Sequence, residues 1–223
     1  MIDHNDVDNL PLFKSMNAKT RAAIAQSAFQ RDLPAGHSLV IEGMPAEFGY
    51  FILRGHVRVL RMSIDGRVQV MARLGEGSPL NFISLLVDDR LNRASIETLT
   101  PVRLLTLEAE AFDRLIKTYP DFSALLLRSF AQRIAHMSDL AANLSLYTVR
   151  ARLAQFLMSL ANQPTVAGGW TQDEIAAQIG TVRDVVGRLL REFEAKGLIT
   201  RHRQKITLVD RGKLEKTANG QDA

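Results

Sequence analysis

Arginine and carboxylate side chains lie close together near the C-terminal end of the 223-residue chain. Arg183 and Asp184 stand together, and Arg188 follows shortly after them. The fork of an arginine can donate two hydrogen bonds to O6 and N7 of a guanine, and a carboxylate can accept one from N4 of a cytosine. Residues in the first turns of one helix can enter the major groove of DNA together. The pattern therefore predicts base-specific contacts with DNA.

Two predicted helix starts precede these residues. Thr171 followed by Glu174 has the S/T-x-x-E form of a capping box, in which two side chains satisfy free backbone N–H groups of the first turn. Thr181 followed by Asp184 has the related S/T-x-x-D form. We therefore expect two short helices that begin ten residues apart.

The residues around these starts have the pattern of a helix-turn-helix. Ala176 is small enough for close helix packing, and Gly180 permits a sharp turn. Gly187 lies in mid-helix, where glycine costs about 1 kcal/mol relative to alanine, so we expect another group to approach the backbone there. The buried face of the second helix is predicted to hold Val186, Leu189, Leu190 and Phe193. The opposite face holds Arg183, Asp184, Gly187, Arg188 and Arg191.

A basic hairpin is predicted directly after this helix. Residues 198–201 and 205–209 alternate between apolar and polar side chains about a turn at 202–204. Such a hairpin forms a wing beside the groove, and its phosphate contacts are expected from Arg201, Arg203 and Lys205. The predicted DNA contacts are completed by Thr171 and Gln172 at the start of the first helix.

The charge distribution favours a polyanionic partner for this part of the chain. Residues 146–223 carry 12 Lys and Arg against 8 Asp and Glu, whereas the preceding residues are balanced, so the whole net charge of +4 lies here. Such asymmetry is typical of nucleic-acid-binding domains. The alternative is a solvated charged face on a domain that binds protein.

Composition excludes several other classes of protein. The chain is 46% hydrophobic and 23% charged, as in globular proteins that fold around a core. It has no cysteine, which excludes disulfides, thiolate metal sites, cysteine-held iron–sulfur clusters and a cysteine nucleophile. Because no catalytic Ser/His/Asp set or glycine-rich phosphate loop is visible, we expect no enzyme. No apolar run reaches the ~18 residues that span a bilayer, and the N-terminus is acidic and polar, so we expect a cytoplasmic protein.

The first half of the chain predicts a β-rich domain. Helices are predicted at 18–28, with Asn17 as N-cap, and at 108–117. Asp65-Gly66 is the signal of a tight hairpin turn. Short strands are predicted at 38–41, 50–54, 57–62, 68–74 and 102–107. Short strands separated by turn residues are typical of a small antiparallel sandwich or barrel.

A long helix is predicted over 120–145. Pro120 suits its first turn, and no Gly or Pro follows until Pro164. Apolar residues at alternating spacings of three and four form a seam: Leu127, Phe130, Ile134, Met137, Ala141 and Leu144. The seam packs either on the helix's own domain or in a dimer coiled coil, and its regular spacing favours the dimer. Full burial would contribute roughly 1.5–3 kcal/mol for each large side chain.

Taken together, these features resemble the Crp/Fnr family of bacterial transcription regulators. The resemblance covers about residues 10–210 and is carried by Glu42-Gly43, by the run Tyr-Phe-Ile-Leu-x-Gly-x-Val-x-Val at 50–59, and by the recognition helix with Gly187-Arg188. It implies an α+β chain: an antiparallel β-roll (a double-stranded β-helix, jelly-roll-like) sensor domain at 1–119, a dimerisation helix at 120–145 and a winged helix-turn-helix at 146–223. It also implies a homodimer on a double-stranded DNA palindrome, with RNA polymerase as a partner and no membrane.

The effector pocket that the resemblance implies departs from that of the cyclic-AMP receptors. In those receptors a Gly-Glu pair binds the ribose 2′-hydroxyl and an Arg-Ser pair holds the cyclic phosphate. Here the corresponding pairs are Asn81-Phe82 and Arg93-Ala94. Phenylalanine cannot accept the ribose hydrogen bond, and an unpaired buried hydroxyl costs about 1–3 kcal/mol, so cyclic AMP is not expected to bind. The candidate pocket residues are Asn81, Phe82, Ile83, Ser84, Arg93, Ala94 and Ser138.

Two interpretations of this pocket stay open. Arg93 could hold another small anionic effector, such as the carboxylate of a 2-oxo acid. Alternatively, Arg93 pairs with a local acid and Phe82 fills the pocket, so that the regulator needs no ligand. Haem is not expected as a cofactor, because the histidines that could ligate it lack a pairing motif: His37, His56 and His136.

The sequence therefore predicts a homodimeric, sequence-specific DNA-binding transcription regulator of the Crp/Fnr type. Its control would come from a small effector other than cyclic AMP, or it would be independent of ligand. The alternatives are an adaptor that binds a nucleotide or metabolite and whose C-terminal domain binds protein, and a haem-based sensor regulator.

Overall fold

The computed structural model describes residues 11–161, 170–202 and 205–221. In the first part of the chain the elements are a 3-10 helix at Pro11–Ser15, α1 (Ala18–Ser27), β1 (Ala28–Leu33), β2 (Ser38–Val40), β3 (Phe48–Arg54), β4 (Val57–Met62), β5 (Val68–Leu74), β6 (Pro79–Leu80), α2 (Phe82–Leu86), β7 (Ser95–Thr98), β8 (Val102–Glu108) and α3 (Ala109–Thr118). They are followed by α4 (Pro120–Leu146), α5 (Val149–Ala161), α6 (Gln172–Ile179), α7 (Arg183–Ala195), β9 (Ile199–His202), β10 (Lys205–Leu208) and α8 (Arg211–Ala218).

The chain forms two compact units. The first comprises residues up to 61 together with 71–136, and the second comprises 62–70 together with the residues from 137 onward. The long helix α4 therefore contributes to both units, with the division after His136, rather than forming a separate part between boundaries at 119 and 146.

Two four-stranded antiparallel sheets make up the β-roll, in the strand orders β1-β8-β3-β6 and β2-β7-β4-β5. Successive side chains of β3 and β8 alternate between two hydrophobic cores, one on each face of the sheet. Ile52 pairs with Leu104 and belongs to a cluster that includes residues of both sheets, whereas Phe51 pairs with Leu105 and packs with the helices. Successive side chains of a strand point to opposite faces, so buried residues on both faces mark β3 as a central strand. The predicted antiparallel β-roll is confirmed.

Aromatic rings hold the helices against this sheet. Phe51 lies 5.0 Å from Phe13 and 4.8 Å from Phe82, measured between ring centroids, and Phe82 lies 5.1 Å from Phe112. Phe122, at the start of α4, packs edge-on against the same group. All five rings are buried. Such pairs each add about 0.5–1.5 kcal/mol beyond burial of their area.

The predicted cap of the first helix is confirmed and has a second partner. The Oδ1 atom of Asn17 accepts a hydrogen bond of 2.8 Å from the backbone N–H of Thr20. Asp121 accepts from the Asn17 N–H at 2.9 Å and from the Thr20 hydroxyl at 2.7 Å. Burial raises the pKa of Asp121, but the hydrogen bonds from Thr20, Asn17 and Phe122 outweigh it and hold the pKa below its ordinary value. The starts of α1 and α4 are thus tied together.

The core of the second unit lies among α5, α6, α7 and α8. Its buried residues include Leu153, Ile175, Val186, Phe193 and Leu214. Trp170 packs against this core. The centroids of its ring and that of Phe156 are 4.8 Å apart, and the ring planes make an angle of 82°. The hairpin β9–β10 follows α7, as predicted.

Several elements depart from the sequence predictions. The strands β1, β6 and β7 and the helix α2 were not predicted, because they are short or lack a clean alternation. His202 was predicted in the wing turn but lies in β9, paired with Lys205. The hairpin turn at Asp65-Gly66 is confirmed, since Gly66 has a φ of 81° and donates to the Ser63 carbonyl at 2.9 Å. Within the described residues, no helix is long and apolar enough to cross a membrane.

Candidate functional site

The first helix of the predicted helix-turn-helix is capped as expected. The Thr171 hydroxyl accepts from the Glu174 N–H at 3.2 Å, and the Thr171 N–H donates to Oε2 of Glu174 at 2.9 Å. The helix ends at Gly180, whose φ of 69° lies in the left-handed region that favours glycine. The capping box and the turn glycine therefore fix both ends of α6.

The second helix does not begin at Thr181, and that part of the prediction is wrong. Thr181 donates its backbone N–H to the Ala176 carbonyl at 3.0 Å and so completes the end of α6. Val182 is the N-cap of α7, extended and without a side-chain cap, and the helix begins at Arg183. The two helices thus begin eleven residues apart, at Gln172 and Arg183.

Arg152 on α5 fixes the turn between the two helices. Its Nε donates to the Ile179 carbonyl at 2.8 Å and its Nη2 to the Gly180 carbonyl at 3.2 Å. Its Nη1 donates to the carbonyls of Tyr147 and Leu144, at 3.0 and 3.2 Å. Burial lowers its pKa, yet an arginine keeps its charge at neutral pH. One guanidinium therefore satisfies carbonyls at the ends of α6 and α4, where the free C=O groups of a helix lie.

The exposed side of α7 carries the predicted base-reading residues. Arg183, Asp184, Arg188 and Arg191 are exposed, and the apolar residues of the helix face the core, as predicted. Arg183 has a loose ion pair with Asp173, with Nε 4.0 Å from Oδ2. Neither Arg188 nor Arg191 has a hydrogen bond or ion pair with any residue that the structure describes. Their donors are thus available to an external acceptor.

Gly187 is buried under the side chain of Gln172, so the close approach predicted at this position is present, but Gly187 does not lie exposed among the arginines as predicted. A Cβ atom added to Gly187 would stand 2.8 Å from Oε1 of Gln172. The Gln172 amide, on α6, therefore lies over the middle of α7, near the exposed face that holds the arginines. This brings the two helices of the motif together at their polar side.

Arg201, one of the predicted phosphate contacts, already uses guanidinium donors within the chain. Its Nε and Nη2 donate to Oε2 of Glu194 at 3.0 and 2.6 Å, and its backbone N–H donates to Oε1 at 3.2 Å. The hydrogen bond from Arg201 lowers the pKa of Glu194. The pair ties the wing to α7. Arg203 and the side chain of Lys205 lie outside the described residues.

A cavity of about 870 Å³ opens inside the first unit. Six of the seven predicted pocket residues line it: Asn81, Phe82, Ile83, Ser84, Arg93 and Ala94. Ser138 is not among the lining residues, and the wall that α4 supplies ends at His136. Sequence reasoning missed the polar residues of that wall, which include Arg128, Gln132 and Arg133.

Phe82 does not fill this cavity. Its ring is buried in the aromatic cluster, against Phe51 and Phe112. Asn81 precedes it with a φ of 61°, and its side-chain amide donates to the Phe48 carbonyl at 3.0 Å and to Oδ1 of Asn92 at 2.9 Å. Both residues of the Asn81-Phe82 pair therefore make contacts that stabilise the first unit.

Arg93 pairs with a local acid, as one of the two interpretations expected. Its Nη2 lies 2.5 Å from Oδ1 of Asp89, and its backbone N–H donates to the Ser84 hydroxyl at 3.2 Å. Hydrogen bonds from the Leu91 N–H and from Arg93 lower the pKa of Asp89. The guanidinium is thus neutralised by a neighbour on its own loop.

The predicted seam of α4 is largely uncovered in the single chain. Leu127 and Ile134 are 67% and 71% exposed, and Ala141 and Leu144 are exposed as well. Phe130 and Met137 are half-buried, and Phe130 also packs against the core of the first unit. Along most of its length the seam is therefore a bare apolar stripe.

Among residues 11–161, 170–202 and 205–221 there is no group of three or more His, Asp or Glu side chains that could hold a metal ion. Nε2 of His136 lies 3.2 Å from the Met71 carbonyl oxygen and can donate to it.

Two family models match the chain: a cyclic nucleotide-binding domain over residues 30–119 and a Crp-like helix-turn-helix domain over residues 151–217. The chain is 28% identical to the CRP-like cAMP-activated global transcriptional regulator of Mycobacterium tuberculosis, over 93% of this chain and 96% of that protein. It is 30% identical to the cAMP-activated global transcriptional regulator CRP of Pasteurella multocida, over 78% and 87%.

Solved structures share the fold. A transcriptional regulator assigned to the crp/fnr family from Eubacterium rectale superposes with a TM-score of 0.81 at 23% identity, over 94% of this chain and 98% of that chain. The c-di-GMP responsive global regulator CLP of Xanthomonas campestris gives a TM-score of 0.78 at 22% identity, over 87% and 100%.

Proposed function

The chain belongs to the Crp/Fnr family of DNA-binding transcription regulators, and from that premise we propose that it is a homodimer that reads a DNA palindrome under the control of an effector other than cyclic AMP. The relatives named above are transcription regulators rather than enzymes. The proposal therefore concerns which residues read DNA, how two chains associate and what the first unit binds.

The exposed face of α7 is the observation that carries the DNA-reading part. Arg188 and Arg191 have no partner among the described residues, and Arg183 has only a loose one. In this proposal Arg183 and Arg188 donate to guanines and Asp184 accepts from a cytosine, which are the pairings that the major groove favours.

Residues around α7 would contact the DNA phosphates and so position this helix in the groove. Thr171 and Gln172 lie at the start of α6, beside α7, where side chains of a helix-turn-helix contact the DNA backbone. Arg203 and Lys205 are proposed as phosphate contacts of the wing. Arg201 is a weaker candidate, since its fork already holds Glu194, and we assign it mainly to positioning the wing.

The bare stripe on α4 supports association of two chains. Two copies of the stripe can pack against each other as a parallel coiled coil and remove Leu127 and Ile134 from water. A twofold axis along this coil would place two recognition helices about 34 Å apart, on half-sites one helical turn apart. RNA polymerase is proposed as the protein partner of the DNA-bound dimer, and the bacterial cytoplasm as the place of action.

The cavity supports control by an effector rather than independence of ligand. It stays open because Phe82 packs into the core, and a cavity of this size is typical of small-molecule sites. The relatives named above are cAMP-activated, but Phe82 and Ala94 leave this chain without an acceptor for the ribose hydroxyl and without a hydroxyl for the phosphate at those positions.

Selection of a binding site from random duplexes tests the proposal. The full chain is purified, a palindrome is recovered from the selection, and binding is followed by fluorescence anisotropy at several salt concentrations. We expect the palindrome to bind at least about 10³-fold more tightly than a scrambled duplex, and the affinity to fall with salt. Equal affinity for both duplexes would contradict sequence-specific reading. Absent or salt-insensitive DNA binding would favour the adaptor that binds protein.

A further inference from the structure

We propose that the cavity of the first unit binds an organic monoanion with an apolar body, and that Arg133 on α4, rather than Arg93, is the residue that holds the anion. This inference rests on the proposed function only in taking the cavity as the effector site. It goes further by naming the chemical class of the effector and the residue that selects it.

Arg133 lines the cavity and is half-buried there. Its guanidinium has no hydrogen bond or ion pair with any residue that the structure describes. Burial lowers its pKa, and no neighbouring carboxylate opposes that effect. An arginine remains charged at neutral pH, so a partly desolvated guanidinium without a counter-ion is poised to bind an anion. A planar carboxylate can meet its fork with two parallel hydrogen bonds.

Several polar groups of the wall already have partners inside the protein. Arg93 holds Asp89, and the Ser84 hydroxyl accepts from the Arg93 N–H. The Asn81 amide is bound to Phe48 and Asn92, and His136 faces the Met71 carbonyl. An anion placed at Arg93 would have to compete with the Asp89 carboxylate, whereas one placed at Arg133 displaces no partner.

Two further charged groups line the cavity at exposed positions. Arg128 is exposed on the same helix as Arg133, and Glu76 is an exposed carboxylate on the loop before β6. With Arg93 neutralised by Asp89, the wall retains two cations against one carboxylate. The cavity therefore favours a single negative charge on the ligand.

Much of the rest of the wall is apolar, beside the polar side chains of Ser78, Ser129 and Gln132. Val59, Ala72, Leu80 and Ile96 come from four strands of the β-roll, and Leu125 comes from α4 on the same side as Arg133. These apolar side chains offer no hydrogen-bond partner for sugar hydroxyls. An aromatic or aliphatic body next to a carboxylate fits this apolar part of the lining.

A matched pair of probes separates the anion from the apolar body. Binding of 1-naphthaleneacetate and of its uncharged amide, 1-naphthaleneacetamide, is measured by isothermal titration calorimetry without DNA. The proteins are the full chain, Arg133→Gln and Arg93→Gln, each checked for an unchanged thermal midpoint. Since Arg133 has no partner to lose, its variant is expected to fold normally. Cyclic AMP is the third probe.

We expect the acid to bind the native chain at least about tenfold more tightly than the amide, because charge-assisted hydrogen bonds are stronger than neutral ones. Arg133→Gln should abolish that preference and Arg93→Gln should keep it. The proposal is overturned if the acid and amide bind equally, if neither binds, if the preference depends on Arg93, or if cyclic AMP binds more tightly than the acid. Because the measurement contains no DNA, these outcomes are independent of whether α7 reads a palindrome.

Discussion

The ring of Phe82 occupies the space that a side chain on Gly49 would need. A Cβ atom added to Gly49 would clash with Cδ1 and Cε1 of that ring, and the adjoining Cζ would lie only 2.9 Å away. Gly49 lies on the central strand β3, and the missing side chain leaves room for Phe82 to pack in the aromatic core rather than fill the cavity that it lines. The residue that would contact a ribose in a cyclic-AMP receptor is therefore a core residue here.

Gly49→Ala should destabilise the first unit by about 1–3 kcal/mol, because the new methyl group overpacks a core that has no room to relax. Urea unfolding measures the loss. Gly212→Ala is the matched control, since a Cβ there meets only Oδ1 of Asp210 at an ordinary 3.8 Å. Phe82→Leu combined with Gly49→Ala should recover part of the lost stability. Additive effects of the two substitutions would refute the contact.

Arg188→Ala should cost about 1–3 kcal/mol of DNA affinity and relax the preference at one base pair of each half-site. The reason is the loss of a bidentate contact from an exposed arginine that has no partner in the described chain. Anisotropy titrations with the selected palindrome and its single-base variants measure both effects. Lys196→Ala at the far end of the same helix is the control and should leave the base preference unchanged. A uniform loss on every duplex would instead assign Arg188 to a phosphate.

Arg152→Gln should destabilise the second unit by about 2–4 kcal/mol, because four helix-end carbonyls lose a charged donor. Arg152→Lys should recover only part of this, since an ammonium group cannot span both helix ends. Thermal unfolding supplies the measurement. Ser159→Ala, on the exposed side of the same helix, should change the midpoint little. If Arg152→Gln left the thermal midpoint unchanged, water would replace these hydrogen bonds without loss of stability.

Asp121→Asn should remove a stabilisation that depends on pH. The pKa of Asp121 in the folded chain lies below its ordinary value of 3.8, so the folded state favours the carboxylate. The contribution is therefore complete well above pH 4 and disappears as the pH falls through the folded pKa. The variant should be less stable than the native chain by about 1 kcal/mol at pH 6, and the difference should be smaller at pH 3.

Urea unfolding at the two pH values tests this decrease. Asp139→Asn is the control on the same helix, because Asp139 is exposed and has no hydrogen bond or ion pair with the described residues. Its effect should be small at both pH values. A difference between Asp121→Asn and the native chain that is the same at pH 6 and pH 3 would contradict the assignment.

Ile134→Glu should shift the chain from dimer to monomer, because it buries a charge in the middle of the seam on α4. Sedimentation velocity measures the shift, and affinity for the palindrome should fall with it. Ala142→Glu places the same charge on an exposed position outside the seam and should leave the mass unchanged. If Ile134→Glu remains dimeric, the seam is not the interface.

Local rules were enough to predict much of the helix-turn-helix. The capping box of Thr171, the turn at Gly180 and the spacing of the apolar residues on α7 depend on near neighbours in the chain. Thr181 was misassigned because its N–H has a competing acceptor, the carbonyl of Ala176, which the local S/T-x-x-D pattern cannot reveal. The strands β1 and β7 escaped prediction because their neighbours in the sheet, not their own alternation, hold them in place.

Residues that act over long distances could not be predicted. Arg152 reaches a carbonyl 27 residues away, and Arg133 faces strands distant in sequence. Both are ordinary helical arginines in the sequence, and their roles depend on the packing of other elements. The position of Phe82 could not be predicted either, because it depends on the absence of a side chain at Gly49, a residue distant in sequence.

Trp170, the only tryptophan of the chain, gives the second unit an optical signal of its own. Its ring packs edge-on against Phe156 beside the core of that unit, so its emission should change when the DNA-binding half unfolds. The first unit has tyrosine and phenylalanine but no tryptophan. Comparing tryptophan emission with far-ultraviolet circular dichroism during thermal unfolding of one unlabelled sample would therefore reveal whether the two units unfold together or one after the other.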